Sequence, residues 1–71
     1  MTYQEAIDSG WKRGGVTLQR GYMRRTIAWE DIYNQELIPA GGRRKGQFYV
    51  LFPCFHSYRY CERHYLIPKE A

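Results

Sequence analysis

The sequence has no long apolar run, since its longest, residues 48–55 (FYVLFPCF), is far shorter than the roughly 20 residues that a membrane-spanning helix needs. The first eleven residues, MTYQEAIDSGW, carry two acids and lack the apolar core of a secretory signal. We therefore expect a cytoplasmic protein with no membrane partner. In that compartment, the two cysteines are expected to be reduced thiols.

The chain is also too short for a large core. Its 71 residues predict one domain, 1–71, which buries only about 60% of the surface that the unfolded chain exposes. The composition is nevertheless rich in aromatic residues, at 17%, and seven of them are tyrosines. Aromatic residues argue against disorder and favour β-strands.

Acidic residues are few, with seven Asp and Glu against eleven Lys and Arg, which gives a net charge of +4. This charge favours an acidic partner, either nucleic acid or an acidic protein. It does not specify the oligomeric state.

The first ten residues carry the clearest local pattern. Thr2, followed three residues later by Glu5, forms the capping box that satisfies free amides at a helix start. Gly10 and Trp11 fit a helix end, because glycine adopts the left-handed conformation there and Trp11 can fold back. A two-turn helix over residues 3–9 is predicted, which depends on docking for its stability.

Further along, apolar and polar residues alternate as they do in half-buried strands. Residues 35–53 predict a hairpin with a mobile loop rich in glycine. Residues 58–67 fit either a strand or a helix, and their Tyr, Cys and Ile content before Pro68 favours a strand. The predicted strands are 15–24, 34–39, 47–53 and 58–67, with 26–30 as a further strand or a turn.

These elements predict an α+β fold in which one short N-terminal helix packs on a three- to four-stranded, mainly antiparallel sheet. The apolar positions of that arrangement define an expected core. Its members are Ile7, Trp11, Val16, Leu18, Trp29, Leu37, Phe48, Val50, Phe52 and Tyr65.

Both cysteines and both histidines fall within the segment CFHSYRYCERH, as Cys54, His56, Cys61 and His64. Their spacing does not match the paired knuckles of structural zinc sites. In a strand, Cys61 and His64 point to opposite faces, which excludes one shared ion; in a helix they are neighbours. We therefore expect no metal or other cofactor, and a helix at this point would reopen the question.

A catalytic role is not expected either. Cys54 and His56 supply the residue types of a thiol nucleophile and its base, but no oxyanion site accompanies them. Glu30 and Asp31 are adjacent and would point apart on a strand. The sequence therefore predicts a binding protein and not an enzyme.

Basic residues alternate with glycine and aromatic residues in GWKRGG, QRGYMRR, GGRRKG and YRYCERHY. Cations that bind phosphate and rings that stack on bases are the features of nucleic-acid contact. The alternative is a protein-interaction module that uses exposed tyrosines, arginines and a sheet edge. The predicted nucleic-acid-binding residues are Lys12, Arg13, Arg20, Arg24, Arg25, Arg43, Arg44, Lys45 and Arg59.

Three segments, GWKRGGVTLQRGYMRR, AGGRRKGQFYVLFP and SYRYCERHYL, cover much of the chain. In these segments the chain resembles small open reading frames carried on conjugative elements of anaerobic Gram-positive bacteria. The resemblance implies a bacterial cytoplasmic protein that is linked to a mobile element. It assigns no role to any residue.

Overall fold

The computed structural model describes residues 1–20, 29–54 and 59–69, which form a four-stranded antiparallel sheet with short helices. The spatial order of the strands is β1-β4-β3-β2. This arrangement confirms the predicted α+β class. The helices are α1 (Tyr3–Asp8) and two 3₁₀ helices, η1 (Trp29–Asn34) and η2 (Gly42–Arg44); the strands are β1 (Lys12–Arg20), β2 (Ile38–Pro39), β3 (Phe48–Pro53) and β4 (Tyr60–Ile67).

Both ends of α1 are capped as the sequence predicts. The Glu5 amide donates to the Thr2 hydroxyl at 3.2 Å, and the Thr2 amide donates to the Glu5 carboxylate at 2.8 Å. The hydrogen bond from the Thr2 amide lowers the pKa of the Glu5 carboxyl. At the other end, Gly10 has a φ of 87°, and the amides of Gly10 and Trp11 donate to carbonyls of the last turn at 3.0 and 3.1 Å. The capping box and the glycine end are both confirmed.

The central strand β4 pairs with a neighbour on each side. Its partners run from Lys12↔Ile67 to Arg20↔Tyr60 on β1, and from Phe48↔Leu66 to Pro53↔Cys61 on β3. The strand interpretation of residues 58–67 is thus confirmed for residues 60–67, and residue 58 lies outside the described part.

One side of the sheet, which we call the helix face, carries the core. Tyr3 and Ala6 of α1 and Ile32 of η1 pack there on Val50 and Leu66, and all five are at most 1% exposed. Among the expected core residues, Val50 belongs to this cluster. Ile7, Trp11, Leu37 and Phe52 pack against it while partly buried.

Two of the expected core residues are exposed, so this part of the prediction was wrong. Val16 and Leu18 of β1 are 54% and 61% exposed. Their alternation is that of a strand with one buried face, but the six residues of α1 span only about 9 Å. Since strands lie about 4.8 Å apart, such a helix covers the centre of the sheet and leaves β1 bare.

The buried residues Tyr3, Ala6, Ile32 and Leu66 were missing from the expected core. Phe48, which was expected there, is half-buried and lies 5.5 Å from Trp11 between ring centroids. The side chain of Trp29 lies outside the described part of the structure.

The strand predicted over residues 34–39 is largely absent, because only Ile38–Pro39 joins the sheet. Just before it, the Gln35 side-chain amide donates to the Leu51 carbonyl at 2.8 Å and accepts from the Leu51 amide at 3.1 Å. A side chain therefore makes the contacts that a longer β2 backbone would make. At the possible strand 26–30, residues 29 and 30 belong to η1, and residues 26–28 lie outside the described part.

The predicted hairpin is confirmed, since β2 and β3 pair antiparallel as Ile38↔Tyr49 and Pro39↔Phe48. Its loop contains the 3₁₀ turn η2, which brings Arg44 back towards β1. No helix in the described part has the length and apolar character to cross a bilayer.

We expect Ile32→Ala to lower the free energy of unfolding by about 2–5 kcal/mol, because it leaves a cavity in a fully buried site. Leu18→Ala serves as the control, since it removes similar atoms from an exposed site and should change stability by no more than about 0.5 kcal/mol. Urea unfolding followed by tryptophan fluorescence measures both values. Equal losses would contradict the placement of the core.

Candidate nucleic-acid interface

The side of the sheet opposite α1 and η1, which we call the outer face, carries polar and aromatic side chains. Strand alternation and register place three pairs of neighbours on it. These pairs are Tyr49↔Tyr65, Thr17↔Arg63 and Gln19↔Cys61.

Two arginines lie over two tyrosines at the centre of the outer face. The Arg44 guanidinium carbon is 4.1 Å from the Tyr65 ring centroid, and that of Arg63 is 4.7 Å from the Tyr49 ring centroid. The two rings are themselves 5.6 Å apart. Both guanidinium-to-ring distances fall within the range of cation–π attraction, so each guanidinium is held against a ring.

Hydrogen bonds fix these stacks in place. Arg44 Nη1 donates to the Gly14 carbonyl at 3.2 Å and to Gln47 Oε1 at 3.3 Å. Arg63 Nε donates to Gln19 Oε1 at 2.7 Å. Each guanidinium therefore has a defined position and retains N–H groups beyond these contacts.

The pair Gly14-Gly15 makes room for the Arg44 side chain. A β-bulge lies at this pair, and Gly15 has a φ of 131°. A Cβ atom on Gly15 would lie 3.4 Å from an Arg44 nitrogen, and one on Gly14 would lie 2.9 Å from Gln47 Oε1. The GG of the sequence thus leaves room for the Arg44 side chain to lie against β1 while its guanidinium lies over the Tyr65 ring.

The outer face is electrostatically positive around Tyr65. The Thr17 hydroxyl donates to the Tyr65 hydroxyl at 3.1 Å. This hydrogen bond lowers the pKa of Tyr65 most, and burial opposes it. A hydrogen bond with Arg63 and the charges of Arg63 and Arg44 lower the pKa further. Among the described residues, no carboxylate forms an ion pair with Arg44 or Arg63.

The predicted basic residues do not form one surface. Lys12 and Arg44 belong to the outer face, whereas alternation along β1 places Arg13 and Arg20 on the helix face. The remaining members lie in loops or outside the described part. Arg43 and Lys45 are exposed in the β2–β3 loop, Arg59 is exposed just before β4, and Arg24 and Arg25 fall in a segment that is not described.

The predicted set did not include Arg63 and Tyr49, which complete the outer face. Part of the signal was in the sequence, because Arg63 and Tyr65 are two apart in a strand and Tyr49 lies opposite the Phe48–Val50–Phe52 face. The missing information was the register, which sets Tyr49 beside Tyr65.

Cys61 and His64 of the Cys/His segment lie on opposite faces of the sheet. His64 is on the helix face, where its ring stacks on Phe52 with centroids 3.8 Å apart and its Nε2 lies 3.0 Å from Glu62 Oε1. Cys61 is on the outer face with Sγ 4.0 Å from the Gln19 carbonyl. His56 lies outside the described part, and within that part no three His, Cys, Asp or Glu side chains are grouped to hold a metal ion.

The chain matches no protein-family description, no curated protein and no solved structure. The resemblance to open reading frames of conjugative elements therefore stays a prediction.

We expect Cys61 to react slowly with iodoacetamide in the folded protein. It is fully buried, and this burial raises the pKa of its thiol, so less of the reactive thiolate is present at a given pH. Cys54, which is only half-buried, provides the internal comparison. Peptide mass spectrometry after timed alkylation should show Cys54 modified first, with the difference lost in denaturant. Equal rates in the folded protein would contradict the burial of Cys61.

Proposed function

We propose that the protein binds single-stranded nucleic acid through the outer face and that it acts as a binding protein without catalysis. The observation that carries this proposal is the pair of arginines held over the rings of Tyr65 and Tyr49 without a described carboxylate partner. Both guanidinium groups are available to an anionic ligand.

In this proposal, bases stack on the arginine side chains and not on the tyrosine rings. Tyr65 is only 5% exposed beneath Arg44, so a base cannot stack on that ring directly. Guanidinium planes also stack on unpaired bases, and a guanidinium already resting on a ring is oriented for this contact. A base would therefore lie on the Arg44 plane, with the tyrosine beneath it as support.

The surroundings of these stacks suit the phosphate backbone. Lys12, the first residue of β1, lies on the same face. Arg43 and Lys45 are exposed in the loop that carries Arg44. The net charge of +4 adds a general attraction for polyanions. Cations beside stacking groups on a sheet surface are the combination that single strands bind.

The shape of the described part favours single strands over duplexes. Proteins that recognise the sequence of duplex DNA place a helix or a two-stranded ribbon in the major groove. Here α1 has six residues, and Tyr3 and Ala6 tie it to the core, so it does not project as a reading helix. A sheet face instead offers a flat surface to unpaired bases.

The test is a fluorescence anisotropy titration with labelled DNA and RNA single strands of about twelve nucleotides, and with duplexes of the same length. We expect single strands to bind more tightly than duplexes. With about three phosphate contacts, affinity should fall about 20-fold between roughly 50 and 200 mM salt. The double variant Arg44→Gln/Arg63→Gln should lose most of this binding and flatten the salt dependence.

The matched control is Arg13→Gln/Arg20→Gln, which removes the same charge from the helix face of β1. A third variant, Arg44→Lys/Arg63→Lys, keeps the charge but removes the planar groups, so it should retain salt-dependent attraction and lose affinity for bases. Thermal unfolding establishes that each variant is folded. No binding at low salt, or equal losses in the two Gln variants, would overturn the proposal.

A further inference from the structure

The two edges of the sheet are protected to different degrees. On the β2 side, the Gln35 side chain occupies both backbone groups of Leu51, and Pro39 in β2 has no amide to donate. On the other side, β1 is nine residues long, and no described strand lies beyond it. Long edge strands offer their backbone N–H and C=O groups to another chain.

The exposed side chains of β1 favour an apolar and anionic partner. Val16 and Leu18 are 54% and 61% exposed, and strand alternation sets Arg13 and Arg20 on the same face at either end of them. The strand thus combines two exposed apolar side chains with an arginine on either side of them, and it contains no acidic residue.

A surface cavity lies beside this strand. Its volume is about 180 Å³, and its lining includes Tyr3, Arg13, Val16, His64 and Leu66. A cavity of about 150 Å³ is large enough for benzene, so this one has room for a single apolar side chain. An added strand that ran along β1 would pass close to Arg13 and Val16, which belong to the lining of this cavity.

The charges of β1 argue against a second copy as the partner. Antiparallel pairing of all nine residues with a second β1 would set Lys12 opposite Arg20 at both ends, and directly opposed like charges are destabilising. An acidic strand does not meet this charge repulsion.

We infer that β1 is a docking edge for an extended, acidic segment of a partner protein, which adds to the sheet as a fifth strand. Backbone hydrogen bonds along β1 supply affinity, and apolar side chains of the segment contact Val16, Leu18 and the cavity. Its carboxylates pair with Arg13 and Arg20. The side chains of this surface, Arg13, Val16, Leu18 and Arg20, are on the helix face, whereas the Arg44 and Arg63 stacks are on the outer face, so the inference does not depend on nucleic-acid binding.

The probe is a dye-labelled peptide of about eight residues that alternates Val and Glu, the length of an ordinary strand. Two control peptides define the mode of binding. One replaces Glu with Lys, and the other carries methyl groups on the backbone nitrogens of one edge, which removes donors without changing charge. Amide chemical shifts of ¹⁵N-labelled protein locate the site.

Arg13→Gln/Arg20→Gln should lower the affinity for the acidic peptide at least about tenfold. Leu18→Glu should lower it by a similar factor, because the new carboxylate repels the glutamates of the peptide. Arg43→Gln/Lys45→Gln removes the same charge as the first variant from the exposed β2–β3 loop and should leave binding within about twofold. The methylated and Lys peptides should bind at least about tenfold more weakly, and shift changes should centre on β1.

Three results would overturn the inference. Equal binding of the methylated peptide would show charge attraction without strand addition. Equal losses in the two Gln variants would show attraction to net charge alone. A dimer in native mass spectrometry that Leu18→Glu dissociates would show that a second copy occupies the edge.

Discussion

The whole sheet depends on the antiparallel pairing of β4 with β1 on one side and β3 on the other. This strand supplies Leu66 to the helix face and Tyr65 to the outer face, so one segment supports both layers. Without it, β1 would have no strand partner in the described part. The register of β4 therefore determines which side chains meet on both faces.

The size of the domain explains why arginine covers tyrosine on the outer face. In the described part of this 71-residue chain, α1 and η1 cover one face of the sheet, and Tyr65 on the other face is still buried. The aliphatic stem and planar head of Arg44 supply much of this cover. A side chain that stabilises the sheet in this way also leaves a cation at the surface, so structure and candidate function share the same residue.

Local sequence signals predicted the local structure well. Thr2, Glu5 and Gly10 mark the ends of α1 through contacts within a few residues, and these marks were confirmed. The β2–β3 hairpin and the strand character of β4 followed from composition and alternation. Each of these features depends on neighbours in the chain and not on the tertiary arrangement.

Features that depend on the tertiary arrangement were not predictable from the sequence. Alternation shows that Val16 and Leu18 share a face but not whether a helix covers it, and the short α1 does not reach them. The stacks of the outer face require Arg44 to cross from the loop to Gly14, a contact 30 residues apart in sequence. Charge clustering alone grouped basic residues that the sheet separates onto two faces.

The position of β4 also has a consequence for how the chain folds. It comes last of the four strands in sequence but lies between β1 and β3 in space, so β1 pairs with residues 40 or more positions further along the chain. Pairings this distant cost loop-closure entropy before any contact forms, which slows folding. During synthesis, β1 would leave the ribosome long before its partner strand, with Val16 and Leu18 in water and its cations as protection against wrong pairing.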